Sequence, residues 1–245
     1  MRRRLTLFAC LALAAGASAA QEITVSAGAS LGPALREIAP LFEAAQPGVR
    51  VRLNLGASGA LLQQITVGAP VQVFASADDE TMDQAQARGL VRADDRRVLV
   101  LNRLVLAVPA DRGADVPRTL AGAAQLRRVA IGLPASVPAG RYARAALDAA
   151  GLWPRIEPQL VYAQNVRQAL DYIVRAEVDA GFVYASDVGI AGGGARAAFE
   201  VPTPIPIRYP IAALRDALPA AQRFVDFCLS APARAVFARH GFGLP

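Results

Sequence analysis

ITVSAGASLGPALREIAPLF, residues 23–42, changes its periodicity across one small turn. Up to Gly28 the run is apolar and of strand length. From Ser30 onward, Leu31, Leu35, Ile38 and Phe42 recur at helical spacing and fall on one face. A strand feeding a helix through small residues is the repeating unit of an α/β fold. Pro40 stands inside the predicted helix and is expected to kink it, because it lacks an N–H and its ring crowds the preceding turn. The turn itself, GASLG at 28–32, matches G-x-S-x-G, the nucleophile elbow of serine hydrolases. Ser30 therefore either attacks a substrate or holds one.

The same unit recurs outward along the chain. VRVRLNL (49–55) sets Val49, Val51, Leu53 and Leu55 against Arg50, Arg52 and Asn54, and GASGALLQQI follows it. VQVFASA precedes DDETMDQAQARG, RRVAIGLP precedes PAGRYARAALDAAG, and QLVYA precedes NVRQALDYIVRAE, after which comes AGFVYASD. That order predicts α/β architecture with mainly parallel sheets. Pro138 suits a first helical turn, Gly151 a position just past a helix end, and Asn165 an N-cap. GIAGGGARAAFEVPTPIPIRYP (189–210) reads as an ordered loop and a return strand between lobes.

MRRRLTLFACLALAAGASAA, residues 1–20, has three arginines, a short apolar run and small residues at its end, the pattern of a cleavable secretory signal peptide. A lipid-anchored reading of LFAC (7–10) is disfavoured, because apolar signal sequence continues beyond Cys10. Cleavage leaves about 225 residues, with no apolar stretch long enough for a membrane span. Cys228 is then the single thiol, so no intrachain disulfide forms. The formal charge of +6 includes Arg2, Arg3 and Arg4, and without them the excess is mild, with arginines scattered; this is no nucleic-acid footprint. The chain contains no lysine, which excludes a P-loop lysine cradle and a lysine nucleophile.

Four strand-to-helix turns, AGASLG, GASGA, SVPAG and AQNV, carry small or hydrogen-bonding residues. A helix N-terminus offers unpaired N–H groups and about half a positive charge. Several aimed into one cleft form an anion site without formal cations, and small side chains let the anion reach the backbone. Taken singly, Ser30, Ser58 and Asn165 are no more than helix caps. Their joint occurrence in a chain short of catalytic equipment favours binding.

The one histidine, His240 in ARHGFG, falls in a last helical turn ahead of Gly241, where the helix dipole favours it. One histidine and one mature cysteine argue against a transition-metal site. Asp78, Asp79 and Glu80 open a helix and complement its N-terminal charge. The hydrolase alternative pairs Ser30 with His240. Against it, Ser30 follows the first strand of the mature chain, no HGGG-like oxyanion segment precedes it, and His240 falls at a helix end.

Over essentially its whole mature length the chain resembles the periplasmic molybdate-binding proteins of ABC importers. The match is carried by ITVSAGASL, LNLGASGALLQQITVGAP, VFASADDETMD, RLVLAVP, GLPASVPAGRYARAAL, AQNVRQAL, AGFVYASDV, RYPIAAL and FARHGFGLP. The resemblance implies two α/β lobes joined by two crossovers, with an oxyanion in the cleft between them. The first lobe is expected at 21–104 with 205–245, the second at 105–204. The resemblance further implies that Ser30 and Ser58 each supply a hydroxyl and an N–H, that Ala139 and Val166 supply N–H groups, and that Tyr184 supplies its hydroxyl. Leu133 stands where relatives often carry Asp or Asn, and GASGA holds fewer hydroxyls than relatives rich in serine there. The implied protein is a monomer in the periplasm that captures molybdate, and tungstate with it, for an inner-membrane ABC permease. It needs no cofactor or metal cation and binds no nucleic acid. Another tetrahedral oxyanion such as sulfate is the nearest alternative ligand. A transferrin-like iron role fits poorly, because no adjacent tyrosine pair or His/carboxylate cluster is evident.

Overall fold

The computed structural model describes residues 21–113 and 115–245, so the expected signal peptide at 1–20 lies outside the described residues. The chain begins β1 (Gln21–Gly28), α1 (Gly32–Ala45), β2 (Val49–Gly56), α2 (Ser58–Thr66), β3 (Val73–Ala75), α3 (Asp79–Ala87) and β4 (Arg97–Asn102). It continues β5 (Leu104–Pro109), α4 (Leu120–Ala123), β6 (Val129–Gly132), α5 (Pro138–Ala149), α6 (Trp153–Ile156), β7 (Leu160–Ala163), α7 (Val166–Val174), β8 (Ala180–Tyr184), α8 (Ala185–Gly189) and β9 (Ala195–Glu200). It closes with β10 (Ile207–Ala213), α9 (Pro219–Cys228) and α10 (Ala231–Arg239).

These strands form two five-stranded sheets, ordered β2-β1-β3-β10-β4 and β7-β6-β8-β5-β9. The chain leaves the first sheet at Asn102, enters the second at Leu104, and returns between Glu200 and Ile207. The sheets are mixed, where the sequence pattern predicts mainly parallel ones. β1 lies parallel to β2 and β3, and β6 to β7 and β8, whereas β10 runs antiparallel to β3 and β4, and β5 to β8 and β9. The reason is topological. A parallel neighbour needs a helical crossover, and β5 and β10 arrive directly from the other sheet without one. The turns at the ends of the parallel strands converge where the two sheets face each other.

The helix predicted after Ser30 forms and buries Leu35, Ile38 and Phe42, with Leu31 buried just ahead of it. Each such side chain contributes about 1.5–3 kcal/mol by leaving water, and Phe42 meets Phe224 of α9 edge-on at 5.1 Å between centroids. Pro40 lies within α1 and is exposed, and the helix runs from Gly32 to Ala45 across it. The Arg36 carbonyl that the missing N–H leaves unpaired is on an exposed residue, so water can satisfy it. Asn165 caps α7 by accepting from the Gln168 N–H at 3.0 Å, and Pro138 occupies the first turn of α5. Gly151 and Gly241 take φ of +67° and +80° just past their helices, the left-handed conformation that glycine adopts without strain. Among the described residues, no helix is long and apolar enough to cross a membrane.

Candidate functional site

Ser30, Ser58, Ala139, Val166 and Tyr184 all line one small cavity between the two sheets, together with Gly28, Ala29, Gly56, Ala57, Ala77, Val137 and Pro138. The first sheet's half is built from the turn after β1, the turn from β2 into α2, and the turn after β3. The second sheet's half is built from the first turns of α5 and α7 and the end of β8. None of the lining residues carries a formal charge.

The donors differ in how they are held. Ser58 is fully buried, and its Oγ accepts the Ala77 N–H at 2.9 Å, which leaves the Ser58 hydroxyl proton free to donate. The Ser30 Oγ lies 3.0 Å from the Tyr209 hydroxyl. The Tyr184 hydroxyl donates over 3.5 Å to the Ala77 carbonyl, a long contact across the cleft. Val166 is the first residue of α7, and Ala139 the second of α5, so their N–H groups point out of a helix start with no partner inside the helix.

Two further contacts fasten the halves together. The Gly59 N–H donates to the Ser136 carbonyl at 3.0 Å, and a Cβ at Gly59 would sit 2.8 Å from that oxygen, so only glycine permits the approach. Arg141 of α5 reaches over the cleft to Asp78, its Nε and Nη2 lying 2.9 and 2.5 Å from Oδ2, and its Nη2 also donates to Thr81 Oγ1 at 2.7 Å. The Asp78 carboxylate is only 3% exposed. Its other oxygen caps α3 by accepting the Thr81 N–H at 3.1 Å. Asp78 thus does more than the N-terminal charge complement read from the sequence. A wider groove that shares Ala29 with the cavity carries Arg36 and Arg167, one guanidinium from each side.

Behind Tyr184, Asp187 is fully buried. Its Oδ2 accepts the Tyr184 N–H at 3.0 Å, while Oδ1 has no partner among the described residues. Burial pushes this carboxyl up to about 7, against the Tyr184 N–H and the Arg167 charge, which lower it. Burial also raises the Tyr184 hydroxyl well above the usual phenol range, so it stays a donor.

The serine–histidine pairing of the hydrolase alternative is not formed. His240 Nε2 lies 3.1 Å from Glu37 Oε2, and the side-chain neighbour of Ser30 is Tyr209. Among the described residues, no group of three or more His, Cys, Asp or Glu side chains is placed to hold a metal ion. Sequence reasoning assigned no part to Asn102, Arg141 or Tyr209. Arg141 and Tyr209 do stand in the motifs VPAGRYA and RYPIAAL, but the partners that reveal their contacts are 63 and 179 residues away.

Two α/β units that bring hydrogen-bond donors together around one cavity, joined by two crossovers, define a cleft-type solute-binding protein. The chain belongs to the bacterial extracellular solute-binding protein family, whose model matches residues 23–243. It is 35% identical over 254 aligned positions to the molybdate-binding protein ModA of Escherichia coli, covering 98% of both chains. To the ModA of Haemophilus influenzae it is 31% identical over 231 positions, covering 92% of this chain and 91% of that one. Among solved structures, the periplasmic molybdate-binding protein of Azotobacter vinelandii superposes with a TM-score of 0.79 at 23% identity, over 91% of this chain and 99% of that one, a likeness of fold.

Proposed function

We propose that the chain is a periplasmic binding protein that captures molybdate, and tungstate with it, and delivers it to an ABC permease in the inner membrane. Ser30, Ser58 and Tyr184 act through their hydroxyls, and Ala139 and Val166 through their N–H groups. The lobes they belong to comprise 21–104 with 205–245 and 105–204. The observation that carries this reading is the donor set: the cavity is lined by O–H and N–H groups, with no carboxylate among its lining residues.

Molybdate and tungstate are proton-free tetrahedral dianions near neutrality, so each of their oxygens only accepts. Phosphate usually keeps a proton there, which a carboxylate in the site would receive, and the absence of one from the lining disfavours it. Sulfate is proton-free but smaller. It would leave some donors unpaired, at about 1–3 kcal/mol each. Closure of the lobes lets donors from both reach one anion and makes ligand capture readable as a shape by the permease. The protein acts as an exported monomer and performs no chemistry on the anion.

Isothermal titration of the signal-free protein with molybdate, tungstate, sulfate and phosphate tests this. One-to-one binding of the two larger anions, with little heat from the others and with His240→Ala unchanged, is expected. Preference for sulfate would replace the ligand, and absence of any oxyanion binding would overturn the site.

A further inference from the structure

Ser30 is a hydroxyl, and a hydroxyl serves an acceptor-only ligand only if its proton points at that ligand. What decides its direction is the chain of groups behind it. The Ser30 Oγ is 3.0 Å from the Tyr209 hydroxyl. The same Tyr209 oxygen receives the Asn102 side-chain amide at 3.2 Å, and that amide also donates to Ser186 Oγ at 2.8 Å. The orientation of Asn102 is set by its other end, where Oδ1 accepts the Arg103 N–H at 2.9 Å. Turning the amide over would face that N–H with another donor.

The direction of the chain follows by elimination. An amide nitrogen only donates, so Tyr209 accepts from Asn102 and must place its single proton elsewhere. Three side chains face that hydroxyl, Asn102, Ser30 and Tyr184, and Ser30, at 3.0 Å, is the one that both meets it at hydrogen-bonding distance and can accept. Burial raises the Tyr209 hydroxyl far above the usual phenol range, so the proton is present throughout the working pH range. Ser30 Oγ is thereby occupied as an acceptor, and its own proton turns toward the cavity.

We propose that Tyr209 and Asn102 are positioning residues that aim the Ser30 hydroxyl proton at the bound anion and so select proton-free oxyanions over those that carry a proton. The proposal rests on the oxyanion-binding reading above. Asn102 is the last residue before the crossover between the two sheets, and Ser186 belongs to α8 behind Tyr184. One amide therefore links the crossover to Tyr209 behind Ser30 on one side and to the start of α8, which follows Tyr184, on the other. Ser58 reaches the same end by a shorter route, its Oγ being occupied by the Ala77 N–H.

The test is a double-mutant cycle read with two anions. Wild type, Ser30→Ala, Tyr209→Phe and the double variant are titrated with molybdate and with phosphate at pH 7. Tyr209→Phe keeps the ring that packs edge-on against Tyr184 and Phe242 and removes only the hydroxyl. It is expected to weaken molybdate about tenfold, or about 1.4 kcal/mol. In the Ser30→Ala background the same change should cost less than about twofold, because there is no longer a hydroxyl to aim. The preference for molybdate over phosphate should narrow in Tyr209→Phe, since a Ser30 released from Tyr209 can turn and accept the phosphate proton. Equal losses for both anions, or additive losses in the cycle, would show a packing role and overturn the proposal. If Tyr209→Phe fails to fold, Asn102→Ala enters the same cycle with the same criteria. A wild-type protein that binds neither anion would overturn the oxyanion reading itself, an outcome separate from additivity in a protein that binds.

Discussion

The two sides of the cavity offer donors of different kinds. The first sheet's side presents the hydroxyls of Ser30 and Ser58, and the second's presents the helix-start N–H groups of Ala139 and Val166, with Tyr184 beside them. A backbone N–H at a helix start is aimed by the helix itself and cannot turn away. A hydroxyl can rotate, and it becomes a reliable donor only when a neighbour occupies its oxygen. That is why Ser58 has the Ala77 N–H and Ser30 has Tyr209 behind it, while Ala139 and Val166 need no such support.

The largest effect should come from the hydroxyl side. Ser58→Ala removes a donor and also strands the buried Ala77 N–H, and it is expected to weaken molybdate roughly 100-fold by titration, since a hydrogen bond to a charged group is worth about 1.5–3 kcal/mol. A loss below about threefold would mean that this hydroxyl does not face the anion. On the backbone side, Val166→Pro deletes one N–H at a first helical position, where proline suits the helix, and Asn165 ahead of it is already extended, as a residue before proline should be. Molybdate affinity should fall about tenfold in Val166→Pro and change less than twofold in Val166→Ala. Equal effects from the two substitutions would break the comparison, because the side chain and not the N–H would then matter.

A smaller effect belongs to the contact that joins the sides. Arg141→Met leaves Asp78 without its guanidinium and shifts the lobes toward separation, with an expected loss of roughly fivefold in apparent affinity, since only the closed fraction binds fully. Small-angle scattering of the ligand-free variant should show a larger radius of gyration than wild type. The smallest effect is on pH. The Asp187 carboxyl lies at about 7 in the folded chain against an ordinary value of 3.8, so the stability of its neutral form is fully present below the ordinary value and lost as pH rises through about 7. A dianion bound near Tyr184 favours that neutral form as well. Molybdate affinity is therefore expected to fall roughly threefold from pH 6 to pH 8.5, and Asp187→Asn should flatten the profile.

Much of this was legible locally. The period change across GASLG announces a strand, a turn and a helix, and Asn165, Pro138 and Gly241 mark helix ends by their own conformational preferences. How α1 accommodates Pro40 was not legible, because it depends on whether water can reach one carbonyl. The antiparallel placing of β5 and β10 was also hidden, since no local pattern shows which sheet a strand joins when it arrives from the other lobe. Tyr209 and Arg141 stand within RYPIAAL and VPAGRYA, yet nothing local to either residue names its partner, 179 and 63 positions away.

The order of elements and the small residues at the helix starts follow from the sequence alone, because both arise from backbone preferences acting over a few residues. The tertiary structure alone decided that these helix starts meet in one cavity, that Arg141 finds Asp78, and that Tyr209 stands behind Ser30. Hydrogen bonds and ion pairs depend on distance in space, and residues 63 or 179 positions apart acquire that closeness only when the sheets have formed and the chain has crossed between them.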